Sequence, residues 1–446
     1  MRGKTLIPLP KPLWGNTLPS TIAEKILGAK VGKEVSPGEL VVVDVDGVMA
    51  QDGTAPLAIK VMRERFGEER VFDPEKVAFV IDHTAPSNNP GTSELHIEMR
   101  RFCRKHKCTL YDVGTGICHQ VMVEEGRAWP GSVFVGADSH TVTYGALGSF
   151  ATGVGSTDAA IAMMTGRIWF KVPEALKFNL IGKFREGVMS KDLILKIIGD
   201  LKEDGATYMS AEFVGDGLKD MRIDSRLTVS NMVVEMGAKV GLMPADEEVM
   251  RFVEGRARGV PKPELTFPDP GAHYKDEFTY DLSEIEPMVA KPYSPANSVP
   301  VSEVEGIEVD QVFIGSCTNG RLEDVAVAAR ILKGKKVAPN TRCIVITASR
   351  NVYLQALKKG YVDVLTEAGC LVTFGTCGPC VGAHYGVLGP NEVGLFTTNR
   401  NFRGRSGHRT SKVYLASPAT AAASAVEGKI ADPRKYLKVR VRDMEV

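Results

Sequence analysis

The sequence predicts an α/β protein built in three successive segments, and three observations carry that reading. Short apolar, β-branched runs recur: LVVVDV at 40–45, VAFVI at 77–81, VFV at 133–135, VFI at 312–314 and CIVIT at 343–347. Their length and unbroken hydrophobicity suit strands buried on both faces, as in parallel sheets. Polar or glycine-rich loops follow these runs, and helical patterns lie between several of them, which is βαβ texture. Finally, the texture changes at Lys171 and again over residues 287–300, which carry four prolines and read as a linker. The expected domains are therefore 1–172, 173–289 and 290–446.

In order along the chain, residues 8–19 read as an irregular arm, and Thr21 to Glu24 fits a capping box opening a short helix that Gly28 ends. The 40–45 run stops at Asp46-Gly47, with Gln51 in the loop region beyond. The 77–81 run leads into Asp82-His83, and the 133–135 run into Gly136-Ala-Asp-Ser-His140. Residues 145–155 are glycine-rich but lack G-x-G-x-x-G spacing, so close helix packing explains them as well as a dinucleotide loop would. The middle segment opens on a strand at 178–181 and a helix through 193–198. The last alternates strand and helix to Ser417-Pro418, an N-cap and first-turn pair before an alanine-rich helix that Gly428 ends. Asp82, Asp138, Cys317, Cys377 and Asn399 each fall just after a predicted strand, where open α/β sheets bind ligands, so one shared cleft is expected.

The chain of 446 residues can bury several cores, and its net charge of +1 is well mixed, which argues against a nucleic-acid footprint or a membrane-binding basic patch. Eight cysteines are too sparse for a disulfide scaffold, so a reducing cytoplasm is expected. No apolar run reaches membrane-spanning length, and the N-terminus lacks the apolar stretch of a secretion signal.

Three of those cysteines sit in loops fit for metal chemistry. Cys377 and Cys380 form a C-x-x-C pair inside TFGTCGPC, and Cys317 lies sixty positions earlier (377 minus 317) in GSCTNGRLED. The spacing alone serves zinc, redox or iron–sulfur chemistry. Zinc prefers four closed ligands in two short-spaced pairs, whereas three thiolates on a [4Fe–4S] cluster leave one iron open for Lewis-acid catalysis. His83 beside Asp82, His119, and His140 near Asp138 suit proton transfer or ligation, because a carboxylate raises imidazole basicity and fixes its tautomer. The run NRNFRGR at 399–405 concentrates three guanidinium groups suited to gripping carboxylates.

Taken together, GSCTNGRLED, TCGPC, NRNFRGR, DSHT, QDGTAP and the C-terminal SPATAAASAVEGKIADP resemble the aconitase superfamily, over about residues 21–433. Within it they are similar to the large subunits of the two-chain isopropylmalate dehydratase and homoaconitase branch, and Gly320-Arg321 leans the same way. The resemblance implies three α/β/α domains around one [4Fe–4S] cluster per chain, held by Cys317, Cys377 and Cys380, with one open iron that binds the substrate's hydroxyl and a carboxylate. His83, oriented by Asp82, would protonate the departing hydroxyl, and the pairs His119–Asp138 and His140–Glu235 would flank it. Gln51, Ser139, Arg400 and Arg405 match substrate-carboxylate positions, and Asn231, Asn319 and Asn399 match amides near the cluster. The implied reaction isomerises a 2-hydroxy di- or tricarboxylic acid by loss and return of water. Isopropylmalate, in leucine biosynthesis, is the leading substrate and homocitrate the alternative. The swivelling fourth domain of single-chain aconitases, with its serine base, has no counterpart here. A separate small subunit carrying that serine and a specificity loop is therefore expected, in a heterodimer or heterotetramer. The rival readings are an iron-responsive RNA-binding protein, disfavoured by the near-neutral charge, and a zinc-stabilised structural subunit.

Overall fold

The computed structural model describes residues 18–256 and 265–446 and contains three mainly parallel sheets. The first runs, edge to edge, Thr109–Tyr111, Val77–Val80, Gly47–Gln51, Val133–Gly136 and Phe150–Gly153, all parallel. The second is also parallel, in the order Val240–Leu242, Ser210–Val214, Ala175–Ile181, Asp276–Asp281. In the third, Lys412–Ala416, Val393–Phe396, Gln311–Ile314, Arg342–Thr347 and Leu371–Phe374 are parallel, extended at one edge by the antiparallel strands Met288–Ala290 and Ser298–Pro300. Strands with both faces covered are buried at every residue, as at Val77–Val80 and Gln311–Ile314.

Several expectations change. The run at 40–45 is not a doubly buried parallel strand. Leu40–Asp44 alternates exposed and buried residues and pairs antiparallel with Arg167–Lys171 in a separate two-stranded ribbon. Because the run is nearly all apolar, the period-2 alternation that marks a one-sided strand cannot be read from it. The parallel strand begins after the turn at Asp46, and Gln51 is its last residue rather than a loop residue. The Thr21 capping box is present, but the helix Ile22–Val31 runs past Gly28 and ends at Gly32, which takes the left-handed conformation (φ 70°). Residues 287–300 are not a linker. They form the two antiparallel edge strands, with Pro300 at a strand end, where a missing N–H is tolerated, and the expected boundary at 289 cuts Met288–Ala290. The arm expected over 8–19 lies, up to residue 17, outside the described residues.

The glycine-rich stretch is a packing element. It spans the end of the 3-10 helix Ser139–Leu147 and the strand Phe150–Gly153. A Cβ at Gly145 would sit 1.9 Å from the carbonyl oxygen of Gly241, so only glycine lets the first and second sheets approach here. One apolar cluster then joins the second and third sheets to residues flanking the first, running from Ile117 and Val142 through Phe178 and Ile197 to Phe313, Ile344 and the three candidate ligand cysteines. No helix among the described residues is long and apolar enough to cross a membrane.

Candidate active site

The carboxyl ends of the first and third sheets meet. Cys317 lies in the short helix Ser316–Asn319 that follows Gln311–Ile314 directly, and the chain turns into it through Ser316, held at φ 78°. Cys377 and Cys380 bracket a turn, Gly378–Val381, just beyond Leu371–Phe374. Gly378 has φ 55°, and a Cβ there would lie 2.6 Å from Ile346 Cδ1, so the C-G-P-C turn needs its glycine. The backbone N–H of Cys377 donates to the Asp82 carbonyl at 3.0 Å, as does the Thr376 hydroxyl, which binds this turn to the Asp82-His83 loop of the first sheet.

A cleft of about 180 Å³ opens at this junction, lined among others by Gln51, His83, His119, Asp138, Ser139, His140, Cys317, Cys377, Cys380, Asn399, Arg400 and Arg405. Twelve of the sixteen residues expected at the site thus share one wall, and Asp82 and Glu235 stand immediately behind it. His83 Nδ1 is 2.8 Å from Asp82 Oδ1, whose other oxygen accepts the Cys118 backbone N–H at 2.7 Å. His119 Nε2 is 2.9 Å from Asp138 Oδ1, and His140 Nε2 is 2.9 Å from Glu235 Oε1, the two pairings the resemblance implied. Asp138 is more central than expected: it also accepts the His140 backbone N–H at 2.9 Å and approaches His83 Nε2 at 3.5 Å and Gln51 Nε2 at 3.4 Å. Arg400 Nε reaches Glu235 at 2.8 Å, and Arg405 Nε donates to the Cys380 carbonyl at 3.1 Å, so both guanidinium groups are anchored at the cleft.

The three asparagines differ in place. Asn231 and Asn399 direct their amide nitrogens at Cys317 Sγ, at 3.4 and 3.5 Å. Asn319 lies one layer back, donating to Asp324 at 3.0 Å and accepting from Lys191.

Electrostatics separate the roles. Burial alone would lower the His83 pKa, but negative charge at Cys377, Asp82 and Asp138 holds it well above the ordinary histidine range. Burial opposes ionisation of Asp138, yet the surrounding histidines keep its pKa well below the usual carboxylate value, and His140 with Arg400 do the same for Glu235. Burial, reinforced by Cys380, pushes the Cys317 thiol up to about 12. A metal held by the Cys317 sulfur would have to displace its proton.

Three further residues, given no role by the sequence, complete the site. Asp52 accepts the backbone N–H groups of Asp82, His83 and Thr84 at 2.8–3.1 Å, fixing the loop that presents His83. Fully buried Arg321 donates to the carbonyls of Cys317 and Thr318 and to Gln120. Lys191 lies beneath both the 316–319 and 397–399 loops. The QDG context of Asp52 and the GSCTNGRLED motif of Arg321 hinted at a site, whereas Lys191 takes its meaning from contacts far along the chain.

The donor set favours an iron–sulfur cluster over a single ion. All eight cysteines are free. One zinc ion with Zn–S bonds of about 2.3 Å would draw its sulfurs to within about 4 Å of one another. Among the described residues the only three donor atoms lying within 4.8 Å of one another belong to Asp82, His83 and Cys118, so the three ligand candidates spread more widely than that. Two amide nitrogens reach Cys317 Sγ, the kind of donor that hydrogen-bonds the sulfurs of such clusters. The residues present fit such a cluster.

Comparison with known proteins gives the family of the chain. The pattern of the aconitase family (aconitate hydratase) matches residues 24–428. The chain is 51% identical to 3-isopropylmalate dehydratase large subunit 1 of Methanopyrus kandleri, over 94% of this chain and 99% of that one. It is 49% identical to the 3-isopropylmalate dehydratase large subunit of Aquifex aeolicus, over 94% and 98%. Aconitase X of Thermococcus kodakaraensis, in its holo form, shares the fold at 12% identity and TM-score 0.50, over 87% of this chain and 93% of that one. With the family pattern spanning nearly the whole chain, and about half of all positions shared with such relatives, the chain belongs to the aconitase family.

Proposed function

We propose that this chain is the large subunit of a hydro-lyase that isomerises a 2-hydroxy dicarboxylic acid by dehydration and rehydration, with 3-isopropylmalate as substrate in leucine biosynthesis. The relatives' names favour isopropylmalate over homocitrate. The observation that carries the reading is the meeting of three free cysteines, three histidines gathered on Asp138 and two anchored arginines in one cleft.

Family membership implies an iron–sulfur cluster, which Cys317, Cys377 and Cys380 would hold, with Asn231 and Asn399 hydrogen-bonding the sulfur of Cys317. When bound, a cluster with one iron lacking a protein ligand supplies Lewis acidity toward a hydroxyl leaving group. His83 gives its Nε2 proton to the departing hydroxyl. Asp82 holds Nδ1 and keeps the ring oriented, and Asp138 restrains the Nε2 side. Arg400 and Arg405, with Gln51 and Ser139, bind and orient the carboxylates. The carbon-bound proton leaves to a base on the small subunit, a serine, and returns to the adjacent carbon as His83 takes up a proton from the added water. The small subunit's specificity loop reads the substrate side chain, and three α/β domains, one per large sheet, enclose the site from this side. Mixing anaerobically reconstituted chain with its small subunit and following absorbance loss of the unsaturated diacid tests the proposal. Turnover of isopropylmalate supports it, and no turnover by a cluster-loaded pair overturns it.

A further inference from the structure

Lys191 has no assigned part in this chemistry, yet it is among the largest fully buried side chains of the protein. It sits in the first turn of the helix Ser190–Leu201, where the positive end of the helix dipole disfavours a cation. Its ammonium donates to the Thr397 carbonyl at 2.8 Å, the Thr398 carbonyl at 2.6 Å and Asn319 Oδ1 at 3.3 Å. All three acceptors are neutral, and no carboxylate oxygen lies within ion-pair distance among the described residues. Asp192, next in sequence, instead accepts the backbone N–H groups of Met189 and Met288, and Asp324 accepts from Asn319 and Arg321. Three penalties thus fall on one residue: burial, an unfavourable helix end and no contacting anion.

The acceptors explain why it is there. Thr397 and Thr398 lead into Asn399, and Asn319 follows Cys317 by two residues. One ammonium therefore ties the loop carrying a ligand cysteine to the loop carrying an amide that reaches its sulfur. We propose that Lys191 is a positioning residue of the iron–sulfur site, clamping the 316–319 and 397–399 loops together and supplying the buried positive charge that balances the thiolate-bound cluster. In the metal-free chain burial lowers the Lys191 pKa to about 7, with Asp324 and Asp192 opposing. A cluster anchored by three thiolates adds the negative charge that this ammonium lacks. The inference rests on the cluster reading above.

The test compares Lys191→Met, which keeps the chain's bulk without charge, and Lys191→Arg with wild type, as the full chain with its small subunit after anaerobic reconstitution. Replacing a group that supports metal ligands costs about 10–100-fold in metal retention, so iron loss from Lys191→Met to a chelator should be faster by that factor. Its cluster reduction potential should move to more negative values, because a nearby cation favours the reduced, more negative cluster. Lys191→Arg should retain the wild-type potential more closely than Lys191→Met. Unchanged potential and iron retention in Lys191→Met would overturn the inference alone. A lower melting temperature of the metal-free variant with an unchanged potential would also overturn it, by showing a merely structural role. Failure of the wild-type chain to take up iron and sulfide would overturn the cluster reading together with it.

Discussion

Asp138→Asn should cripple turnover while leaving the fold and the cluster intact. The carboxylate accepts two short hydrogen bonds, from His119 Nε2 and the His140 backbone, both 2.9 Å, and faces His83 Nε2 and Gln51 at longer range. Asparagine keeps the shape but offers one acceptor oxygen and no charge. Hydrogen bonds to a charged group are worth about 1.5–3 kcal/mol against about 1 kcal/mol for neutral ones, so weakening two of them removes about 1–4 kcal/mol. Expressed in the transition state, that is a fall in kcat of about 5- to 1,000-fold. A second signature follows from the sign of the His83 shift. Asp138 is one of the groups holding the His83 pKa above its ordinary value. An acid must be protonated to act, so activity falls as pH rises through that pKa, and removing the Asp138 charge moves the fall to lower pH. The assay is the pH profile of kcat for the reconstituted two-subunit enzyme, normalised to iron content. Wild-type kcat within about threefold at full iron content, or an alkaline limb that does not move, would refute the reasoning.

Three further outcomes are expected. His83→Ala should lose at least about 100-fold in turnover with iron content unchanged, as removal of a positioned acid does; near-normal kcat would reject its role. Cys317→Ser, Cys377→Ser and Cys380→Ser should each abolish cluster assembly by iron and sulfide assay, whereas Cys103→Ser and Cys108→Ser, in the first sheet's core away from the cleft, should assemble normally. Burial raises the Glu212 pKa from 4.5 to about 6. Its share of stability is therefore present below the unfolded pKa and lost as pH rises through about 6, a change of about 2 kcal/mol. Glu212→Gln lacks this titration, so its unfolding free energy should gain on wild type by that amount over the same pH window; a constant offset in denaturant titrations would contradict the assignment.

How much was legible in the sequence depended on the range of the interaction concerned. Strands such as 77–81 and 312–314 announced themselves because a doubly buried parallel strand is apolar at every position, and the loops after them carried the reactive side chains. Leu40 and Val42 were misplaced for the same reason: a run apolar throughout hides which face meets solvent, and both are exposed. Prolines at 287–300 suggested a linker because an edge hairpin tolerates them as readily as a loop does. Gly28 looked like a helix end, but only the backbone angle at Gly32 marks the true one. At the site, cysteines, histidines and arginines were visible through residue type and motif. The roles of Asp52, Arg321 and Lys191 were not, since decisive partners lie far along the chain: Arg321 reaches Gln120, 201 positions away, and Lys191 meets acceptors 128 and 206 positions away. The centrality of Asp138 was hidden likewise, because adjacency to His140 in sequence says nothing of His83 and His119 converging on the same carboxylate.

The account stands on three cysteines holding a cluster with an open iron, and one measurement reaches it directly. Anaerobically reconstituted chain should be assayed for iron, acid-labile sulfide and zinc, with paramagnetic resonance recorded before and after mild oxidation. About four irons and four sulfides per chain, falling to about three irons on oxidation, are expected for a [4Fe–4S] cluster with three cysteine ligands. Tightly bound zinc with no sulfide, or a cluster that keeps all its iron through oxidation, would contradict it.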